Sequence, residues 1–244
     1  MTTSVERLLF ASWQQTFLLT LLAFVVLYFA SAVGGNYLAR WLARRKQGQF
    51  IHPQKVASQQ IRQEISRSLL SILVFALLAI PVQMAYQRGI IQINWSVNLL
   101  TLFPEVLLLF VWNEFHFYLN HRLLHQPWFF SRVHYQHHQS RVPTSYSTYS
   151  FHWFEAFLLG TVIYLPLLLY PFQYLALLSL PVLSILLNTL GHWDFDLAPQ
   201  KSASHWLKFS YRHSQHHRKV RGNYGFFLPY FDQLFQTKIK HEPR

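Results

Sequence analysis

The histidines of this chain are spaced in a way that could support metal-binding chemistry. His121 and His125 form an H-x-x-x-H pair, and the pattern H-x-x-H-H occurs at 134–138 and again at 213–217. Residues three or four positions apart on a helix lie on one face, so the members of each cluster are expected to point the same way. Neutral imidazole binds iron, zinc, copper and nickel. The three clusters therefore predict a metal centre.

An isolated histidine joins these clusters. His192 follows a long apolar block, and Asn188 precedes it by one helical turn on the same face. The predicted metal ligands are His121, His125, His134, His137, His138, His192, His213, His216 and His217. This set is too large for one metal ion and reasonable for two. Two irons with open coordination positions can activate dioxygen, whereas zinc lacks redox chemistry.

Two carboxylates lie close to the clusters in the sequence. Glu114 falls on the same helical stripe as His121 and His125, and Glu155 follows His152 by three residues. A carboxylate beside a metal-binding histidine often accepts a hydrogen bond from its second ring nitrogen. We therefore predict Glu114 and Glu155 as catalytic-site residues.

The composition indicates a membrane protein. Of the 244 residues, 52% are hydrophobic and only 12% are charged, which is about half the usual charged share. The chain contains no cysteine, so disulfide frameworks and thiolate metal sites are excluded.

The apolar stretches predict an all-α bundle of four to five transmembrane helices. They are Phe17–Val33, Leu69–Tyr86, a span from Val97 to Trp112, and a helical hairpin within Phe154–Leu190. Pro81 lies inside the second span, and Pro171 and Pro181 interrupt the hairpin. Proline is tolerated inside transmembrane helices.

The basic residues predict the orientation. The polar segments 35–67, 121–153 and 191–244 fall on one side of the membrane and hold 19 of the 21 lysines and arginines, leaving Arg7 and Arg88 on the other. The positive-inside rule makes the first side cytoplasmic. All the histidine clusters lie there, so we expect a cytoplasmic histidine-rich helical cap. This placement argues against a nucleic-acid-binding face.

The histidine clusters and their neighbours occur in a particular order along residues 110–237. In that order they are Tyr118–His125, Val133–His138, His152–Glu155, His192, Arg212–His217, Asn223–Gly225 and Phe231–Thr237. These motifs resemble the fatty-acid hydroxylase superfamily of sterol desaturases, methylsterol oxidases and fatty-acid or sphingolipid hydroxylases. Trp153 stands where the family's H-P-x-E element has proline. Phe231 and Gln236 replace the tryptophan and glycine of its closing W-D-R-L-F-G-T element.

The resemblance implies a catalytic domain at 101–244, preceded at 1–100 by transmembrane helices and a basic cytoplasmic loop. It implies two iron ions per chain. In integral-membrane acyl desaturases, a related reaction class, an asparagine four residues before a histidine contributes to the metal environment. Asn188 is similar in spacing to His192, so it is a predicted cofactor-binding residue that acts through a water molecule.

The leading hypothesis is a membrane-bound, dioxygen-dependent di-iron oxidoreductase that hydroxylates or desaturates a sterol or fatty-acyl C–H bond. The sequence shows no haem-binding domain, flavin motif or dinucleotide motif, so an external cytochrome or ferredoxin is the expected electron donor. The expected location is a bacterial inner membrane or the endoplasmic reticulum. The alternative is a non-redox membrane metalloprotein, either a zinc hydrolase or a metal-binding protein.

Overall fold

Helices account for nearly all the regular structure in the computed structural model, which describes residues 4–239. In chain order the α-helices are α1 (Ser4–Leu8), α2 (Trp13–Arg44), α3 (Ser58–Gln87), α4 (Leu99–Leu124), α5 (Pro127–Phe129), α6 (Tyr135–His138), α7 (Trp153–Gly160), α8 (Tyr164–Leu169), α9 (Tyr174–His192), α10 (Phe209–Lys219) and α11 (Tyr230–Leu234). A π-helical turn, Phe130–His134, joins α5 to α6. Two short strands, β1 (Gln49–Phe50) and β2 (Phe195–Asp196), pair antiparallel.

Within residues 4–239, four helices, α2, α3, α4 and α9, are long and apolar enough to cross a membrane. Their outer faces are apolar as well: Leu99, Leu100 and Phe103 on α4 are 76%, 86% and 72% exposed. Such faces are stable against lipid tails and costly against water. The predicted all-α membrane bundle is confirmed.

The long helices extend beyond the predicted spans. The apolar run Phe17–Val33 lies inside α2, whose 32 residues measure about 48 Å against a hydrocarbon core of about 30 Å. Ser12 begins α2 with a capping box, in which its hydroxyl accepts the Gln15 amide and the Gln15 side chain accepts the Ser12 amide. Helix α3 likewise begins at Ser58, well inside the basic segment. Both helices therefore project past the membrane on the side of the histidines.

The apolar block after residue 153 forms the predicted hairpin. Helices α7 and α8 make its first arm, which is shorter than the other spans, and α9 makes the second. The Gln173 amide at the start of the second arm donates to Glu105 on α4, at 2.7 Å. Leu109 on α4 packs with Ala176 and Leu180 on α9. These contacts hold α4 and α9 together, and both helices end at the histidine layer.

The cap covers that end of the bundle. Its two long parts are 125–152 and 193–239, and the β1–β2 pairing ties the second part to the segment that follows α2. Ala39 on α2 packs with Trp193, Phe195 and Phe209 in a small apolar core. The cap therefore rests on the ends of the spans and places α6 and α10 above them.

Because the sequence contains no cysteine, single cysteine substitutions can test which side of the membrane each end of the bundle faces. Single substitutions Arg88→Cys, in the turn after α3, and Lys219→Cys, at the end of α10, both lie at exposed positions. A membrane-impermeant maleimide is expected to label the two variants from opposite sides of sealed vesicles. The unsubstituted chain is the blank. Labelling of both variants from the same side would contradict the four-span arrangement.

Candidate metal centre

The structure brings all nine predicted ligand histidines together at the boundary between the spans and the cap. They form two adjoining groups, and within each group the ligand nitrogens lie within 4.8 Å of one another. The five-histidine group consists of His121, His125, His134, His138 and His216. The four-histidine group consists of His137, His192, His213 and His217.

Each H-x-x-H-H triplet divides between the two groups. His134 and His138 belong to the five-histidine group, whereas His137 belongs to the other. The second triplet divides in the opposite way: His213 and His217 belong to the four-histidine group, and His216 belongs to the five-histidine group. The expectation that each triplet points one way is therefore wrong. Residues i and i+4 differ by about 40° around a helix and i+3 lies about 60° to the other side, so a triplet straddles two neighbouring sites.

A change of helical winding precedes the first triplet. The turn Phe130–His134 is π-helical and the chain returns to α-helix at Tyr135. π-Helical turns are rare in proteins, but those that occur are frequently found at functional sites. Here the wider turn ends at His134, where it helps aim the first imidazole of the triplet at the five-histidine group.

The side-chain nitrogens converge through their Nε2 atoms. In the five-histidine group, His216 Nε2 lies 3.1 Å from the Nε2 atoms of both His125 and His138. In the four-histidine group, His213 Nε2 lies 2.9 Å from His192 Nε2 and 3.0 Å from His217 Nε2. All of these imidazoles are buried except that of His125, which is half-buried.

The other ring nitrogen fixes the tautomer of several ligands. His121 Nδ1 lies 2.9 Å from the Tyr224 carbonyl, His216 Nδ1 lies 2.7 Å from the Gly222 carbonyl, and His192 Nδ1 lies 2.8 Å from the Asn188 carbonyl. A carbonyl can only accept, so Nδ1 carries the proton in these rings. Their Nε2 atoms therefore present lone pairs toward the centre of each group.

Lone pairs about 3 Å apart repel unless a cation lies between them. Two adjacent nitrogens bound to one metal at about 2.1 Å are separated by about 3.0 Å when their bonds are at right angles, which matches the observed spacing. His121 Nε2 is also buried and has no hydrogen-bond partner in the described part of the chain. The donor set therefore fits a metal ion in each group.

Burial keeps these imidazoles neutral. The pKa values of His137, His138, His213 and His217 are held well below the ordinary range, first by desolvation and then by the neighbouring imidazoles. The pKa of His216 is lowered to about 4, mainly by burial. Neutral imidazole is the form that binds metal, so the ligands require no deprotonation near neutral pH.

A loop after α10 orients two ligands of the five-histidine group. It supplies the Gly222 and Tyr224 carbonyls, and Asp232 holds it by accepting the Tyr224 and Gly225 amides, both at 2.7 Å. Gly222 has φ +71°, and a Cβ there would lie 2.8 Å from the Thr237 carbonyl. Sequence analysis did not assign these carbonyls a role, although the N-Y-G motif marks the loop.

The two predicted carboxylates have different partners. Glu155 Oε1 accepts from His134 Nδ1 at 2.9 Å, and both side chains are buried. This is the contact anticipated for a carboxylate beside a ligand histidine. Glu114 instead accepts the backbone amides of Phe227 at 3.2 Å and Leu228 at 2.8 Å. The expected Glu114 contact with a ligand histidine is therefore wrong, because the loop after α10 reaches its carboxylate first.

Asn188 faces an apolar cavity below the metal centre. Its side-chain oxygen is buried and has no hydrogen-bond partner among the described residues. The predicted water-mediated contact with the metal remains a prediction. The backbone carbonyl of Asn188 is already used to orient His192.

The cavity encloses about 410 Å³ between the spans, within the usual range for small-molecule sites. Phe117 and Phe151 line it, and each packs against a ligand: the Phe117 ring lies 5.0 Å from His121, and the Phe151 ring lies 5.1 Å from His137. One aromatic ring therefore lies between the cavity and a histidine of each group.

Three further histidines have other roles. His152 and His205 begin short helices by accepting the amides of Phe154 and Leu207, each at 3.2 Å. His52 pairs with Asp194 at 2.7 Å. None of the three joins either histidine group.

Comparison with known proteins agrees with this arrangement. The family model described as "Fatty acid hydroxylase" matches residues 106–237, more than half of the chain. The chain belongs to the fatty acid hydroxylase family. The matched region contains all nine histidines and both predicted carboxylates.

Several curated relatives are enzymes of lipid metabolism. A Delta(7)-sterol 5(6)-desaturase of Aspergillus fumigatus is 29% identical, over 75% of this chain and 54% of that protein. The human lathosterol oxidase is 23% identical, over 86% of this chain and 69% of that protein. A very-long-chain aldehyde decarbonylase of Oryza sativa is 31% identical, over 52% of this chain and 22% of that protein. The chain thus spans about half the length of the Aspergillus enzyme. No solved structure matches.

Two departures from the family's closing motif have visible consequences. Gln236 adopts φ +55°, a left-handed conformation that favours glycine and costs another residue about 1 kcal/mol. Phe231 packs against Phe115 and Tyr118, with ring centres 5.4 and 5.8 Å away. Phe231 therefore packs the C-terminal segment on α4, whereas Gln236 is exposed, and both positions lie outside the two histidine groups.

The Glu155–His134 contact gives a test of the metal centre. Glu155→Leu removes the acceptor for His134 Nδ1, so we expect metal affinity to fall by about 10- to 100-fold, measured by competition with a chelator. Glu155→Gln keeps an acceptor oxygen and should retain most of the affinity. Glu105→Leu, a buried carboxylate at the hairpin turn, should lower stability without changing affinity. Equal metal affinity in the wild-type chain and Glu155→Leu would contradict the assigned role.

Proposed function

We propose that this protein is a membrane-bound, dioxygen-dependent di-iron oxidoreductase that hydroxylates or desaturates a C–H bond of a sterol or fatty-acyl lipid. The observation that carries the proposal is the junction of two buried imidazole groups with an apolar cavity between membrane spans. Two of the relatives are named as sterol enzymes and a third as an aldehyde enzyme, which supports a lipid substrate.

Iron fits the proposal better than zinc. A structural zinc ion takes four ligands and a catalytic one three with an open position, whereas one group here offers five imidazoles. Iron bound by imidazoles supplies redox chemistry with dioxygen. Hydroxylation consumes one dioxygen, two electrons and two protons, places one oxygen in the lipid as an alcohol and releases one water. Desaturation consumes the same reagents, forms an alkene and releases two waters.

The protein's own residues bind and orient the lipid and exclude water. The apolar cavity accepts hydrocarbon from the membrane. The Phe117 and Phe151 rings line it and lie between its interior and the metal-binding histidines. The loop carbonyls and Glu155 keep the imidazoles in one orientation. The buried position of the two groups protects reactive species from bulk water.

The exposed charge around the site supports an acidic electron donor. Within residues 4–239, every aspartate and glutamate side chain is buried or half-buried. The exposed bases in segments next to the ligands are Arg122, Arg132, Arg141, Arg218, Lys219 and Arg221. His125 is the least buried ligand, and the Tyr224 ring lies 4.9 Å from it. A small acidic redox protein would be attracted to this face.

The same basic residues support a cytoplasmic position for the cap. Bases concentrate on the cytoplasmic side of membrane proteins, and the segments that carry them adjoin the histidine groups. A cytoplasmic cap would be accessible to soluble reductants. In the labelling experiment above, Lys219→Cys should therefore be modified from the cytoplasmic side.

Metal content tests the proposal first. Protein purified in detergent after growth with iron is expected to hold about two irons per chain. His137→Ala removes one ligand of the four-histidine group and should lower that content, while His205→Ala, a helix-capping histidine, should not. Zinc that persists in protein made with iron supplied anaerobically would favour the non-redox alternative.

Turnover tests it second. Iron-loaded protein in lipid nanodiscs, given a chemical reductant and a panel of sterols, fatty acids and fatty aldehydes, should consume oxygen in proportion to product detected by mass spectrometry. His216→Ala should abolish both signals while the helical content stays unchanged. Oxygen consumption without lipid product, or full turnover by His216→Ala, would contradict the proposed function.

A further inference from the structure

The cavity below the metal centre has an uneven distribution of polar groups. Most of its wall is aliphatic or aromatic, but Asn113 on α4 and Asn188 on α9 face it near the histidines. His116 lines the same part of the wall, and its Nε2 is 3.2 Å from the Thr161 hydroxyl. The two carboxamides and this imidazole therefore lie where the cavity approaches the metal centre.

The two asparagines lack partners. Asn188 is 4% exposed, and its side-chain oxygen has no hydrogen-bond partner among the described residues. Asn113 is 7% exposed, and within residues 4–239 its side chain makes no hydrogen bond. A buried carboxamide without a partner is costly, and a polar side chain deep in a transmembrane helix marks a functional site by default. Both carboxamides are therefore available to a molecule that offers hydrogen-bonding atoms.

Helix geometry places these groups at a defined depth. Asn188 precedes His192 by one turn, about 6 Å, and Asn113 precedes His121 by two turns, about 12 Å. The wall on α9 extends from Asn188 down to Tyr174, about 21 Å along the helix. A long hydrocarbon can therefore lie in the cavity with one end beside the asparagines.

Hydroxyl groups also line the opposite end of the cavity, where the Thr16 hydroxyl is buried without a hydrogen-bond partner among the described residues. Thr16 and Thr20 line the cavity within the first two turns of α2, and Tyr174 begins α9. These positions lie at the depth of the membrane interface, where polar atoms and tyrosine are common. Asn113 is instead buried on α4 and faces the cavity near the histidine end of its span.

We propose that Asn113 and Asn188 bind the oxygen-bearing head of an amphipathic lipid and direct its hydrocarbon away from the metal centre. The C–H bonds nearest the histidines are then a few bonds from the polar head, and the end of the hydrocarbon lies toward Trp95. Asn113 and Asn188 are positioning residues in this arrangement. The inference deepens the proposed function, but the orientation of the bound lipid can be measured without turnover.

Tryptophan quenching tests the orientation. Trp95 lines the far part of the cavity, and bromine quenches tryptophan on contact. The fluorescence of Trp95 is the part of the signal that is lost in Trp95→Phe. Hexadecanol with bromine on its terminal carbon should quench this part. Hexadecanol with bromine on the carbon next to the head should leave it nearly unchanged. The full chain in nanodiscs is used, and Trp95→Phe isolates the signal from the other tryptophans. Equal quenching by both probes, the reverse order, or no quenching by either overturns the proposal.

Substitutions test the assigned residues. Asn113→Leu should weaken hexadecanol binding by about tenfold, the usual effect of losing a buried hydrogen-bonding partner, and leave binding of hexadecane unchanged. Asn188→Leu should act in the same way. Thr20→Val removes a hydroxyl at the opposite end and should leave the alcohol-to-hydrocarbon affinity ratio unchanged. Loss of that ratio in Thr20→Val but not in Asn113→Leu would mean that the head binds at the far end.

The outcomes separate this proposal from the proposed function. Iron-loaded, active protein with the reverse quenching pattern would overturn only the lipid orientation. Protein without iron or turnover that still gives the expected quenching would overturn only the oxidoreductase assignment.

Discussion

The convergence of nine imidazoles on two adjoining points is the constraint on which the rest of the structure depends. Their Nε2 atoms approach to about 3 Å in a buried layer, an arrangement that favours cations at its centre. Every surrounding element serves to hold this arrangement in place. The spans α4 and α9 end at it, α6 and α10 lie over it, and the loop after α10 closes it from the side.

Backbone carbonyls do much of the orienting. The Gly222, Tyr224 and Asn188 carbonyls each fix one imidazole, and Glu155 fixes a fourth. Because three of these groups belong to the backbone, a side-chain substitution cannot remove them directly. The loop is in turn anchored by Glu114 and Asp232, so two acids that lie away from the ligands control their geometry through it.

The ligand set was predictable from the sequence because helical periodicity and histidine spacing are local properties. The division of each triplet between the two groups was not anticipated, since its spacing was read as a single shared face. Glu114 was given the wrong partner because its contact with Phe227 and Leu228 depends on how a distant loop returns to α4. The four spans were visible in hydropathy, whereas their projection toward the cap depends on helix packing in polar sequence. The cavity could not be predicted, because side chains from many elements form its wall without any period.

The ligands come from α4 and the residue after it, from the π-helical turn and α6, and from α9 and α10, spread over nearly one hundred residues from His121 to His217. Ions bound in the two groups would join these helices as covalent cross-links do, in a chain that has no cysteine to form a disulfide. Closing such long loops costs conformational entropy, and metal binding is coupled to folding for this reason. The metal pair would then stabilise the folded cap. Its removal would loosen α6 and α10, while the membrane helices, which pack on one another, would stay assembled.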